Sequence, residues 1–334
     1  MTTYSTPGTP ATHRWLVVTL VLLLATTPNA LVRAAPSVSA GRLQTLPPFE
    51  ATHVPARTVR VWLPPDYPQD APYDVVYMHD GQMLFDATTT WNKQEWGVDE
   101  TAAALIASAE TRPFLVVAID NGGDRRHTEY FPERPWRALP AATRRAYLEL
   151  ERAPGIALFA SEVASDAYLR FIVEQLKPYV DAHYAVLTAP ASTFLVGSSM
   201  GGLISLYGLL EYPEVFGGAA CLSTHWLGIF ETADNPVPAR FASYLRDTLP
   251  SPGAHRLYFD HGDQGLDAHY PPHQRAVDEV MRTAGYDDAH WITRSFPGED
   301  HSENAWNRRL DTPLRYLLNT RPAAPSAPAN ANDD

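Results

Sequence analysis

From residue 58 onward, short apolar runs alternate with longer segments of helical periodicity. Thr58-Val59-Arg60-Val61-Trp62-Leu63 alternates at a period of two, the pattern of a half-exposed edge strand, and Pro64-Pro65 ends it. Asp74-Val75-Val76-Tyr77-Met78-His79 and Phe114-Leu115-Val116-Val117-Ala118-Ile119 are almost unbroken apolar runs, as in strands of a sheet covered on both faces. Residues 98–106 between them read as a helix, which makes the three a strand–helix–strand crossover. Within 160–184, Tyr168, Phe171, Ile172, Leu176 and Tyr179 share one helical face and read as core. Further strands are predicted over 193–197, 217–222, 256–260 and 291–296, with helices between them and a last helix over 304–318. The alternation predicts one doubly wound α/β domain over residues 48–319, a mostly parallel sheet with helices on both faces. Residues 131–155, rich in Pro, Arg and Ala, interrupt it, and their length predicts an insertion or lid over part of a site.

Both ends lie outside this pattern. Arg14 precedes the apolar run Trp15-Leu16-Val17-Val18-Thr19-Leu20-Val21-Leu22-Leu23-Leu24-Ala25, which is short for a bilayer span and fits the core of a secretory signal. Val32-Arg33-Ala34 predicts cleavage after Ala34, so residues 1–34 are expected to be a signal peptide, leaving an exported protein without a stable membrane anchor. Residues 321–334, rich in Pro, Ala and Asn, are expected to be a disordered tail.

Composition narrows the function. Hydrophobic residues make up 45% of the chain, enough for a sizeable core. A formal net charge of −12 with no basic stretch argues against nucleic acid or anionic membrane as partner. Cys221 is the only cysteine, so an intrachain disulfide is ruled out, and its apolar neighbours mark it as core.

The chemistry concentrates where the 193–197 strand ends. Gly197-Ser198-Ser199-Met200-Gly201 fits the G-x-S-x-G nucleophile elbow, in which a cramped turn between strand and helix pushes a serine hydroxyl into open space. The Met200 N–H, at the start of the next helix, is a candidate oxyanion donor, with the N–H of Gly81 or Gln82 as its partner. Ligands bind at the carboxyl ends of parallel strands. There the chain places Gln82, Asn121, Arg125, His225 and Trp226 as candidate substrate-binding residues and His301 as candidate general base. Serine, then acid, then histidine is the chain order of an α/β-hydrolase triad. Asp260, Asp263 and Asp267 are all candidates for the acid, and spacing alone does not choose among them. His261, His269 and His273 lack the spacing of a zinc site, and no metal or cofactor is expected.

His79-Asp80-Gly81-Gln82, Gly197-Ser198-Ser199-Met200-Gly201-Gly202 and His301-Ser302-Glu303-Asn304-Ala305-Trp306 together resemble the esterase family of α/β hydrolases. That family includes enterochelin-esterase-like proteins, S-formylglutathione hydrolases and feruloyl esterases. The resemblance implies an α/β-hydrolase fold, Ser199 as nucleophile and His301 as base. Family members often carry G-T-x-x-L-D after the penultimate strand; here Gly262-Asp263-Gln264-Gly265-Leu266-Asp267 favours Asp267 as acid, with Asp263 standing where threonine is usual. The implied substrate is a small-molecule or carbohydrate-linked ester: a siderophore trilactone, a feruloyl or acetyl ester, or a small thioester. Arg125, Arg126 and Arg134 would suit a catecholate siderophore, while Trp91, Trp96, Trp136 and Trp226 would suit sugars or aromatic acyl groups. An acyltransferase using the same triad and a non-catalytic binding protein on this scaffold are the alternatives.

Overall fold

The computed structural model describes residues 1–3, 35–50, 52–253 and 255–319. The expected signal segment, apart from its first three residues, and the expected tail at 321–334 lie outside the described residues.

The apolar runs pair into one sheet. Its strands are β1 (Arg42–Thr45), β2 (Val59–Leu63), β3 (Asp74–His79) and β4 (Phe114–Ile119). A separate hairpin, β5 (Glu151–Ala153) and β6 (Ile156–Ala157), intervenes before β7 (Thr193–Ser198), β8 (Gly218–Leu222), β9 (Arg256–His261) and β10 (Trp291–Ser295). The sheet order is β1-β2-β4-β3-β7-β8-β9-β10. Neighbours from β4 through to β10 run parallel, while β1–β2 and β2–β4 are antiparallel. The chain leaves β3 for β4 on one side and returns to β7 on the other. Strand order therefore reverses at the β3/β7 boundary, where doubly wound sheets open a crevice at their carboxyl ends.

Alternate residues of each central strand feed opposite faces, as the two-residue period of a strand requires. Val75, Tyr77, Leu195 and Cys221 join one core with Leu203, Ile204 and Tyr207 of the helix Met200–Glu211. Val76, Met78, Phe194 and Ala220 join the other, with Leu105 of the helix Val98–Ala107 and Leu314 and Leu317 of the helix Asp311–Leu318. Two covered faces explain why β3, β4, β7 and β8 read as unbroken apolar runs.

Two expectations change. β2 is no edge strand: it pairs with both β1 and β4 and is buried at four of its five positions. The sheet begins at Arg42 rather than after residue 48, because Arg42-Leu43-Gln44-Thr45 is mostly exposed and offers no apolar run to recognise. The 131–155 segment forms the helices Glu133–Arg137 and Ala141–Leu148 and then β5. Phe131, Trp136 and Leu139 anchor the first part of this insertion in the core, whereas the helix Ala141–Leu148 buries none of its residues and β5 is exposed. Among the described residues no helix is long and apolar enough to cross a membrane.

Candidate active site

Ser199 links β7 to the helix Met200–Glu211 with φ 57° and ψ −122°, a backbone conformation that costs energy for any residue with a side chain. The surrounding backbone holds it there. Its N–H donates to Leu222 O (2.9 Å), and its carbonyl accepts from Gly202 N (3.0 Å), Leu203 N (3.2 Å) and His225 N (3.2 Å). The turn is so tight that a Cβ on Gly197 would lie 2.6 Å from Gly201 O, the physical reason for small residues two before and two after the serine. The helix that follows is buried at every position from Met200 to Leu210.

His301 and Ser199 line one cavity of about 740 Å³ at the carboxyl ends of β3 and β7. The His301 Nδ1–H donates to Asp267 Oδ1 at 2.6 Å. Asp267 is fully buried and accepts also from Ser223 Oγ (2.6 Å) and Gly262 N (2.7 Å), both on Oδ2. Burial pushes its pKa upward, but these hydrogen bonds and the nearby imidazole outweigh burial and hold it below the ordinary carboxylate range. Asp263 instead faces solvent, where it accepts from Gln264 Nε2 (2.7 Å) and Gly298 N (2.8 Å). Asp260 is committed to Arg309, at 3.0 and 3.2 Å. Of the three candidate acids, Asp267 is the one that meets the histidine. Trp306 packs edge-on against the His301 ring at 5.1 Å, and Tyr270 does so from another side at 5.7 Å. The Tyr270 hydroxyl, hydrogen-bonded to His225 Nδ1 (2.8 Å), is kept protonated by burial and by the charge of Asp267.

The candidate substrate-binding residues divide. Gln82 and Asn121 line the cavity and brace each other, since Asn121 N donates to Gln82 Oε1 at 3.0 Å. Arg125 does not line it: its Nε reaches Glu129, one turn on, at 3.3 Å, and Glu129 is also gripped by Arg57. Arg126 takes its place on the wall, held by Asp80 at 2.6 and 2.8 Å. Arg152 of β5 also lines the wall and is paired with Asp124, whereas Arg134 is paired with Glu211. His225 and Trp226 are buried behind the wall, the indole N–H of Trp226 donating to Gln274. Trp136 is core as well, while Trp91, 78% exposed, and Trp96 line the cavity. Gly81 opens the short helical turn Gly81–Met83, and Gln82 and Met83, not Gly81, line the cavity. A Cβ on Gly81 would meet Ile119 N at 2.7 Å, so its missing side chain clears β4, not a ligand. Tyr270 and Asn92 belong to no sequence motif, so nothing local marks them.

Sheet order, elbow and crevice define an α/β hydrolase. Residues 55–317 match the family described as "Putative esterase", and the chain belongs to that family of hydrolases acting on ester bonds. It is similar to the uncharacterized protein YbbA of Bacillus subtilis, 23% identical over 271 residues that cover 78% of this chain and 92% of that protein. Among solved structures it resembles a ferulic acid esterase, with a TM-score of 0.58 at 18% identity, covering 83% of this chain and 96% of the other. An IroE-like serine hydrolase from Shewanella oneidensis gives a TM-score of 0.60 at 18% identity, with 83% and 80% covered. The enterobactin esterase of Shigella flexneri gives 0.56 at 17% identity; 84% of this chain is covered, and it spans 60% of that protein.

Proposed function

We propose that this esterase works through an acyl-enzyme on Ser199, with His301 as general base and Asp267 as the acid that orients it. The observation that carries this reading is the 2.6 Å hydrogen bond from His301 to Asp267 on the same cavity that Ser199 lines. A serine hydroxyl attacks a carbonyl only as its proton is taken, and neutral imidazole is the acceptor. The charge of Asp267 then stabilises the imidazolium. Negative charge building on the attacked oxygen is met by the Met200 N–H and by an N–H of the Gly81–Gln82 turn, each such donor contributing about 3–4 kcal/mol in the transition state. His301 returns its proton to the departing alcohol. A water activated by the same imidazole then attacks the acyl-enzyme, releasing the acid and restoring Ser199.

The wall chemistry favours a neutral ester. Arg126 and Arg152 are each paired with a carboxylate, and Glu303 adds a third negative group to the lining. Asn92, Gln94, Gln82 and Asn121 supply amides, and Trp91 supplies an exposed ring face. This lining suits a feruloyl or carbohydrate-linked ester, in keeping with the similar ferulic acid esterase, better than an acidic catecholate such as enterobactin, on which the Shigella flexneri relative is named to act. The apolar run at 15–25 supports export, tested by the N-terminal mass of the protein recovered outside the cytoplasm. Turnover of acetyl, feruloyl and siderophore esters by wild type and Ser199→Ala tests the reading. Hydrolysis of the neutral esters by wild type alone is expected; equal activity in both proteins contradicts it.

A further inference from the structure

We infer that Ser223 and Arg309 are positioning residues that fix the Asp267 carboxylate for His301, and that serine stands at 223 for its hydroxyl. The inference rests on the triad reading above. Ser223 follows β8 with φ 41°, in the left-handed region where glycine is the less strained choice. A side chain is kept there despite the strain. Its oxygen lies 3.0 Å from Trp306 Nε1, 2.8 Å from Arg309 Nη2 and 2.6 Å from Asp267 Oδ2. Indole and guanidinium nitrogens only donate, so the Ser223 oxygen accepts from both, and its single proton has one destination, Asp267 Oδ2. Gly262 N–H joins on that same oxygen, leaving Oδ1 to His301. The carboxylate is thereby held against rotation.

Arg309 is 2% exposed and is neutralised by Asp260, which also accepts from Ser223 N (3.0 Å) and the Tyr258 hydroxyl (2.9 Å). Pairing with Asp260 makes the guanidinium a fixed donor to Ser223 rather than a second cation competing with His301 for Asp267. Trp306 acts twice, packing the imidazole and locking the hydroxyl. The run Asp260–Arg309–Ser223–Asp267 lies in a buried, low-dielectric setting, where an aligned network is stiff, and ends on the part-exposed His301.

The test is the rate at which a fluorophosphonate labels Ser199 across pH in wild type, Ser223→Gly and Arg309→Lys. Glycine removes the hydroxyl while relieving the backbone, so melting temperature separates a folding defect from a positioning one. His301 is faced by Asp267, by the rings of Tyr270 and Trp306 and, more distantly, by His225; Ser223→Gly takes a donor from Asp267 and an acceptor from the uncharged Trp306 indole. A maximal labelling rate lower by about tenfold is expected, together with an acid limb moved to higher pH, because a carboxylate with one donor fewer holds the imidazolium more tightly. Arg309→Lys should change both in the same direction by less, and it carries the test if Ser223→Gly does not fold. Labelling by the folded variants at the wild-type rate, or a slower rate with an unmoved acid limb, overturns the inference while leaving the triad standing. Absence of label on wild type removes the triad reading and this inference together.

Discussion

Ser199 stands between a six-residue strand and a twelve-residue helix that are buried along almost their whole length. His301 stands in a loop that runs from a partly exposed edge strand to a five-residue helix. Ser199 needs no side-chain support: backbone hydrogen bonds and a bend that admits no Cβ at 197 fix its position. His301 has no such frame. Its position comes from side chains, with Asp267 at one nitrogen, Trp306 and Tyr270 against the ring, and Ser302 capping the next helix through Ala305 N. One half of the site is thus written into the fold, the other into a set of polar contacts. The two halves should fail differently.

The largest effect is expected on the loop side. Asp267→Asn should lower kcat about 10³–10⁴-fold in steady-state assays, whereas Asp263→Asn, in solvent and away from His301, should leave it unchanged. On the strand side, Gly197→Ala should act through stability, costing about 2–4 kcal/mol in urea unfolding, because the added methyl meets backbone that cannot step aside.

Acid should separate the two halves by pH. His79, buried at the end of β3, is held neutral by desolvation, its pKa pulled down from 6.5 to about 4. The unfolded chain binds that proton first, so the stability owed to neutral His79 is complete above pH 6.5 and is lost as pH falls toward 4. Buried His127 and His225, whose pKa values burial also lowers, add losses of the same sign, so His79→Gln should remove only the share owed to His79, about 2–3 kcal/mol at pH 4.5 in urea unfolding. Asp267 has the opposite character. Its depressed pKa gives stability that is complete above its unfolded value near 3.9 and is lost only below it. The strand side therefore weakens first. The smallest expected effect lies on the cavity rim, where Trp91→Ala should raise KM for a feruloyl ester by roughly three- to tenfold with kcat unchanged, and leave acetyl-ester kinetics alone.

The sequence announced the strand half and only hinted at the loop half. β3 and β4 were legible to the residue because a sheet covered on both faces demands unbroken apolar runs, and the elbow was legible because its geometry demands glycine. β1 was not, since four mostly exposed residues paired at the edge carry no such demand. Asp267 could be preferred over Asp263 only by resemblance, because both lie within hydrogen-bond reach of nothing that spacing reveals. Ser223 and Arg309 are 86 residues apart and meet only in the folded core, so no local pattern marks them. Trp226 and His225 looked like wall residues because they follow a strand; the chain turns there and buries both.

The account depends on a covalent bond to Ser199. Rapid quenching of the enzyme with a feruloyl or acetyl ester, followed by peptide mass mapping, looks for that bond directly. The account predicts an acyl mass increment on the peptide containing Ser199 in wild type and none in Ser199→Ala. Turnover without any acylated peptide, or an acyl group found on another residue, would contradict it.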